Sequence, residues 1–249
     1  MIKKIFTASI VCIVLMLAGC KQDKDFTTLS PYLYDYAPID SGHTVIYDVD
    51  SISYNFIYGS TQTVTTSYYQ LMYQMQDTFY GALSNSALHV VNIYKRTDTT
   101  QPWASTPYQA WYCFETQSTY EDVENDLHFV KLVFPPVTGV NWQGNEYLPT
   151  TDTIADVYQP YFGWTYTYTA VNVPATINNM RFDSTLTVLQ DSNQNLVTDE
   201  ISTETYARHV GLIYKRFELI TKQSISSTWA NPDSADGFRI IMQIHSYTP

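Results

Sequence analysis

Five histidines, His43, His89, His128, His209 and His245, are the side chains best suited to hold a transition metal, yet no two stand at a helical or strand ligand spacing. A zinc site needs three or four convergent donors. The thiols do not complete such a set: Cys12 and Cys20 lie near the amino terminus, and Cys113 stands alone in Ala110-Trp111-Tyr112-Cys113-Phe114. A reactive thiolate needs a cationic, partly exposed setting, so Cys113 is expected to be buried as a small hydrophobe. Asp191-Ser192-Asn193-Gln194-Asn195, with Asp199 and Glu200, offers alternating oxygens to a calcium ion. Leu196 stands where the helix-loop-helix site needs Gly, however, and Ser202 where it needs a bidentate Glu. A polar hairpin turn is expected instead, with Asn in the left-handed conformation. Neither a Gly-rich phosphate loop nor a Gly-x-Ser-x-Gly elbow occurs. The 24 acidic residues leave a glycosidase-type carboxylate pair open, because the separation of two acids is a tertiary property. The sequence thus assigns no catalytic residue, metal or cofactor, and points to a protein that is not an enzyme.

Aromatic residues are the other candidates. Tyr158, Tyr161, Phe162, Trp164, Tyr166 and Tyr168 crowd one short segment. Strand alternation places Trp164, Tyr166 and Tyr168 on one face and Thr165, Thr167 and Thr169 on the other. That face is either a platform for a glycan or lipid ligand or a core face. Core is the stronger expectation, since Tyr can bury its ring and wet its hydroxyl. In Trp142-Gln143-Gly144-Asn145 the sequence predicts a loop in which Gly144 takes a positive φ and Trp142 pins the loop to the core. Val210-Gly211-Leu212 predicts a bulge or a close backbone approach.

The elements that must position these residues are strands. Of 249 residues, 45% are hydrophobic, 15% aromatic and 15% charged, and the 22 Tyr favour pleated, half-buried surfaces over helices. Val45, Tyr47 and Val49 alternate with Ile46, Asp48 and Asp50; Tyr69, Leu71, Tyr73 and Met75 alternate with a wet face of Gln70, Gln74 and Gln76. Further strands are predicted over 89–96, 108–115, 127–134, 163–173, 181–190, 210–221 and 238–246. Turns are predicted at Ser84-Asn85-Ser86, over 98–107, at Pro135-Pro136 and at Asn231-Pro232-Asp233. A short accessory helix fits 199–208. About nine or ten strands suit an all-β fold: a large antiparallel sheet, curved into a half-barrel or paired as a two-layer sandwich. An echo, His89-Val90-Val91-Asn92-Ile93-Tyr94-Lys95-Arg96 against His209-Val210-Gly211-Leu212-Ile213-Tyr214-Lys215-Arg216, puts His, Ile and Lys on one face each time. Asp50-Ser51 and Asp183-Ser184 precede it at unequal distances, and biased strand composition accounts for it more simply than duplication.

The amino terminus gives an address. Lys3 and Lys4, an apolar run from Ile5 to Leu17, and Leu17-Ala18-Gly19-Cys20 form an export signal. It resembles the bacterial lipobox, which implies cleavage before Cys20 and acylation of that residue. Residues 1–19 are then the signal, 20–42 a lipidated tether and entry loop, and 43–249 one β-rich domain. Only 13 basic residues face 24 acidic ones, and two of the basic ones leave with the signal. Such a balance disfavours nucleic acid and anionic lipid surfaces, so the acyl chains must hold the protein to the membrane. Lys21 in place of Asp favours the outer membrane by the enteric sorting rule that the motif resembles, and Gln22-Asp23-Lys24-Asp25 weakly resembles a surface signal.

Val49-Asp50-Ser51-Ile52-Ser53-Tyr54, Lys131-Leu132-Val133-Phe134-Pro135-Pro136, Trp142-Gln143-Gly144-Asn145 and the run from Tyr206 to Lys215 are similar to segments of a broad family of uncharacterised outer-membrane lipoproteins from Bacteroidota-type bacteria. His209 departs from the small or polar residue common there, and Arg208 from Lys. The resemblance implies a β-rich envelope lipoprotein, loosely like the curved sheets of periplasmic lipoprotein carriers, and no particular activity. The expected role is structural or interactive and non-catalytic, with an envelope protein, glycan or lipid as partner. A carrier-like binding module using the aromatic face, or a hydrolase with unrecognised carboxylates, are the rival readings.

Overall fold

The computed structural model of the protein describes residues 33–58, 61–80, 87–148 and 161–249. These hold twelve strands: β1 (Thr44–Asn55), β2 (Thr63–Tyr80), β3 (Ala87–Arg96), β4 (Gln109–Glu115), β5 (Thr119–Glu124), β6 (Leu127–Val133), β7 (Asn141–Trp142), β8 (Tyr166–Ile177), β9 (Met180–Gln194), β10 (Thr198–Ala207), β11 (Gly211–Lys222) and β12 (Ala235–Thr248). All join one antiparallel sheet in the order β6-β5-β4-β3-β2-β1-β12-β11-β10-β9-β8-β7. Apart from β6 and β7, successive strands pair, and β1 pairs with β12. The fold is all-β, an up-and-down meander curled into a nearly closed barrel.

Its edges meet between β6 and the β7–β8 ribbon. There the Val130 N–H donates to the Gly144 carbonyl (2.7 Å) and the Trp142 indole N–H to the Val130 carbonyl (2.8 Å). The Tyr168 hydroxyl accepts from the Val133 N–H (2.9 Å) and donates to the Val133 carbonyl (2.8 Å). Side chains thus supplement the few backbone bonds at this seam. Two hairpins have two-residue turns with both residues at positive φ, Asn125-Asp126 and Asn178-Asn179. Asn and Asp tolerate this conformation, whose twist matches that of the flanking strands.

Alternation decides what points inward. Val45, Tyr47 and Val49 are buried, while Ile46, Asp48 and Asp50 keep exposure. Trp164, Tyr166 and Tyr168 are buried to 4% exposure or less, as that face was expected to be, and Thr165 and Thr169 are exposed. Cys113 is fully buried, its Sγ 3.7 Å from the Met75 sulfur, and burial pushes its thiol pKa well up.

Several expectations give way. The described residues contain twelve strands rather than nine or ten, because β5, β7 and β10 do not show the apolar alternation used to find strands. Residues 199–208 are not a helix: Thr198–Ala207 is β10, paired on both sides. Gly144 does not need a positive φ; a Cβ there would lie 2.3 Å from the Tyr166 ring, so it is a matter of space. The 191–200 segment is a hairpin, but its turn is made by the Asn195 side chain accepting from the Val197 and Thr198 N–H groups. Gln70 is buried rather than wet, because the Arg96 guanidinium donates to it (2.7 Å) and it donates to Asp48 (2.7 Å).

The entry segment belongs to the domain. A single 3-10 turn, Tyr34–Tyr36, brings Tyr36 and Ala37 into the core with Leu132, Trp164 and Tyr166. Asp35 ties it down by accepting from the Arg208 Nε (2.7 Å), while its carbonyl accepts from the His209 N–H (2.6 Å). The domain therefore starts by Leu33 rather than at His43. The echo also takes two shapes: His89 lies inside β3, whereas His209 is an exposed turn residue at φ 63° before β11. Gly211 does sit at a close approach, with positive φ and Pro38 3.4 Å from where its Cβ would be. The Ser84-Asn85-Ser86 turn, Tyr158, the signal and Cys20 lie outside the described residues.

Candidate ligand-binding site

Charge lies across the middle of the barrel interior. Lys131 of β6 reaches Glu124 Oε1 of β5 (3.1 Å) and Glu204 Oε1 of β10 (2.7 Å); Lys215 of β11 reaches the same Glu204 oxygen (3.0 Å). The Tyr206 hydroxyl donates to the other, Oε2 (2.6 Å). Glu204 has no exposed surface. Burial by itself would raise its pKa, but Lys131, then Lys215, bring it down to about 2. Lys131 is held charged in turn: Glu124 and Glu204 lift it well above the usual lysine value against the effect of burial.

Asp122 of β5 sits beside this layer in the opposite state. Burial and the neighbouring Glu124 charge raise it to about 7, against Lys131 and a hydrogen bond from Tyr120. Two carboxylates of one interior are thus driven apart by whether a cation reaches them.

On one side of the layer a cavity of about 80 Å³ is bounded by Tyr47, Tyr73, Trp111 and Tyr120 and by the apolar Val45, Met75 and Val91. That is room for several waters or a small organic molecule, at about 10–15 Å³ per water by the same measure. The entry segment adds Ala37 and Pro38 to the wall. Tyr47, Tyr73 and Trp111 form a row of edge-to-face rings, at centroid distances of 5.0 and 5.3 Å. On the other side lies a space of only about 20 Å³ among Phe129, Tyr161, Trp164, Tyr166 and Phe217. Glu124, Lys131 and Lys215 line both spaces and so form the partition.

Of the residues singled out from sequence, Trp164 and Tyr166 line the smaller space. Tyr168 lines neither; its hydroxyl is spent on the Val133 backbone at the seam. No family model matches the chain, and no curated protein does. A Bacteroides fragilis crystal structure, described as that of a "putative exported protein with YmcC-like fold", is similar at 9% identity over 84% of this chain and 98% of that one, with a TM-score of 0.38.

Sequence reasoning did not single out Asp122, Glu124, Lys131, Glu204 or Lys215 as site residues. One signal was present: an ionisable residue in phase with an apolar face. Lys131 follows Leu127 and Phe129 at strand period, and Lys215 lies between Ile213 and Phe217 on the inward face of β11. Such a residue must find a partner inside the fold.

Proposed function

We propose that this is a lipoprotein of the cell envelope, held to the outer membrane by acyl chains on Cys20, whose barrel is a non-catalytic receptacle for a small ligand. The cavity beside the ionic layer carries the reading. Small barrel interiors are commonly filled by side chains, and apolar residues would stabilise this one at least as well as buried ions. Buried ions next to unfilled space instead give a guest polar groups to orient against, inside a mostly apolar concavity. The anchor rests on Leu17-Ala18-Gly19-Cys20 and on the family resemblance.

A glycan or lipid held by Trp164, Tyr166 and Tyr168 has less support. Those rings point inward, and the space beside them suits a water or two. The hydrolase reading draws on the divergent Asp122 and Glu204. Glu204, however, already accepts from Lys131, Lys215 and Tyr206, three of its roughly four acceptor sites, and is held there as a structural ion.

Two experiments test the proposal. Cys20→Ser should move the protein from the membrane fraction to the soluble one, and continued sedimentation with the outer membrane would reveal another anchor. Val91→Trp, with unchanged circular dichroism, should fill the cavity. Native mass spectrometry of the protein from its own envelope should then show a small molecule on the wild type and none on the variant. Equal loading of the two would place the ligand elsewhere.

A further inference from the structure

The larger cavity is short of one cation. Three carboxylates line it, Asp122, Glu124 and Glu204, against two ammonium groups, Lys131 and Lys215. Glu124 and Glu204 take the lysines. Asp122 is left with the Tyr120 hydroxyl, and no Lys or Arg pairs with it among the described residues. Its Oδ1 is fully buried without a hydrogen-bond partner, although a buried carboxylate oxygen ordinarily accepts at least one. Trp111, on the neighbouring strand β4 and on the same cavity wall, has an indole Nε1 that is also buried and without an acceptor. The two residues that carry these orphan atoms thus both line the space bounded by the Tyr47–Tyr73–Trp111 row of rings.

We propose that this cavity binds a small organic ammonium ion, with its positive charge against Asp122 and its carbon body against the rings of Tyr73, Trp111 and Tyr120. The inference rests on the receptacle reading above and names the class of guest. An ammonium group brings the third cation that the three carboxylates lack, and aromatic faces attract it further through their quadrupoles. An anion fits poorly, since Glu204 and Glu124 already occupy both lysines and no other Lys or Arg among the described residues lines the space. A bare divalent ion fits poorly too, because hard cations take six or more oxygen ligands and Asp122 offers one free oxygen.

The test uses the full-length lipoprotein in detergent micelles, with titration calorimetry and thermal unfolding. The probes are ethanolamine, choline, the neutral carbon isostere of choline in which carbon replaces the quaternary nitrogen, and tert-butylacetate as the anion. At least one ammonium probe should raise the unfolding midpoint and bind at least tenfold more tightly than the isostere and the anion. Asp122→Asn, which keeps an oxygen for Tyr120, should weaken the ammonium probe at least tenfold and leave isostere binding unchanged. If the isostere or the anion binds as tightly as choline, or if Asp122→Asn holds the ammonium probes as the wild type does, the ammonium assignment fails while the receptacle stands. If no probe of any charge binds, with only water occupying the cavity, both fail. The comparison of choline with its isostere needs no variant, so it decides the matter even where the substitution unfolds the chain.

Discussion

On the two sides of the Lys131–Glu204–Lys215 layer the same residue types do different things. On the smaller-space side, Tyr161 meets Trp164 at 5.2 Å, Trp164 meets Phe217 at 5.7 Å and Trp142 meets Tyr168 at 4.6 Å. Rings fill the volume there, and the Tyr168 hydroxyl and Trp142 indole both close hydrogen bonds across the seam. On the other side, Tyr47, Tyr73 and Trp111 make an equally regular row but stop short of filling the barrel, and the Trp111 indole has no acceptor. Aromatic density therefore does not distinguish core from site. Filled volume does, because close packing is the ordinary condition of an interior; buried polar atoms without a partner occur on both sides, Trp111 Nε1 on one and Gln190 Nε2 on the other.

The sharpest way to break this contrast is to remove the layer between the two sides. Lys131→Met leaves Glu124 unpaired and Glu204 with one lysine, and should cost about 3–5 kcal/mol, the usual effect of breaking a buried ion pair; urea unfolding measures it. Tyr166→Ala should cost about 3–4 kcal/mol, since transfer and cavity losses add in the filled half. Tyr73→Ala should cost less, about 2–3 kcal/mol, because its ring already borders empty space. Equal losses at Tyr73 and Tyr166 would mean that the two halves are packed alike. Gly144→Ala drives a methyl into the Tyr166 ring and should cost about 1–3 kcal/mol by overpacking. If Tyr166→Ala relieves part of that cost in the double variant, the clash is confirmed.

The pH dependence separates the two carboxylates. Asp122 is raised to about 7, so between about pH 4 and pH 7 the folded chain keeps a proton there that the unfolded chain releases. The titratable groups around Asp122 are Glu124, Lys131, Tyr120 and Glu204, with Cys113 on β4, Tyr47 on β1 and Tyr206 on β10. Its contribution should favour folding less and less as pH rises through that window, then level off. Asp122→Asn should therefore gain stability relative to wild type between about pH 4 and 7. Glu204, held at about 2, has the reverse sign: it contributes stability above the usual carboxylate pKa that is lost as pH falls toward 2. Urea midpoints of both proteins across pH 4 to 8 check the first statement, and a flat difference would contradict it. The smallest effect belongs to Thr167→Ala on the outer face, within about 0.5 kcal/mol. A larger loss there than at Tyr166 would put the rings on the wrong face of β8.

Most strands were legible because their inward positions are apolar. β1 shows it with Val45, Tyr47 and Val49, and β3 with Val91 and Ile93. β5 and β10 were not, and the reason is the site itself. The side chains β5 turns toward the cavity are Tyr120, Asp122 and Glu124, and those β10 turns inward are Ser202, Glu204 and Tyr206. An inward charge breaks the alternation by which a strand is recognised. With Ala207 nearby, Glu204 even made β10 look helical. Two of the three strands that could not be read, β5 and β10, are thus the ones supplying the interior's carboxylates, and the third, β7, is only two residues long.

The sequence by itself determined the all-β class, the inward phase of Trp164, Tyr166 and Tyr168, the burial of Cys113 and the expectation of an acylated Cys20. Each of these follows from spacing within one segment, where side-chain direction repeats every second residue. Only the tertiary structure decided that β6 meets β7 and β8, that Lys131 and Glu204 share a bond across 73 positions of chain, and that Asp122 is left beside an open cavity with no cation of its own. Those facts depend on which distant strands the curled sheet brings face to face. An electrostatic partner or a void is a property of that closure, because the energy of a buried charge is set by what stands within a few ångströms of it in space.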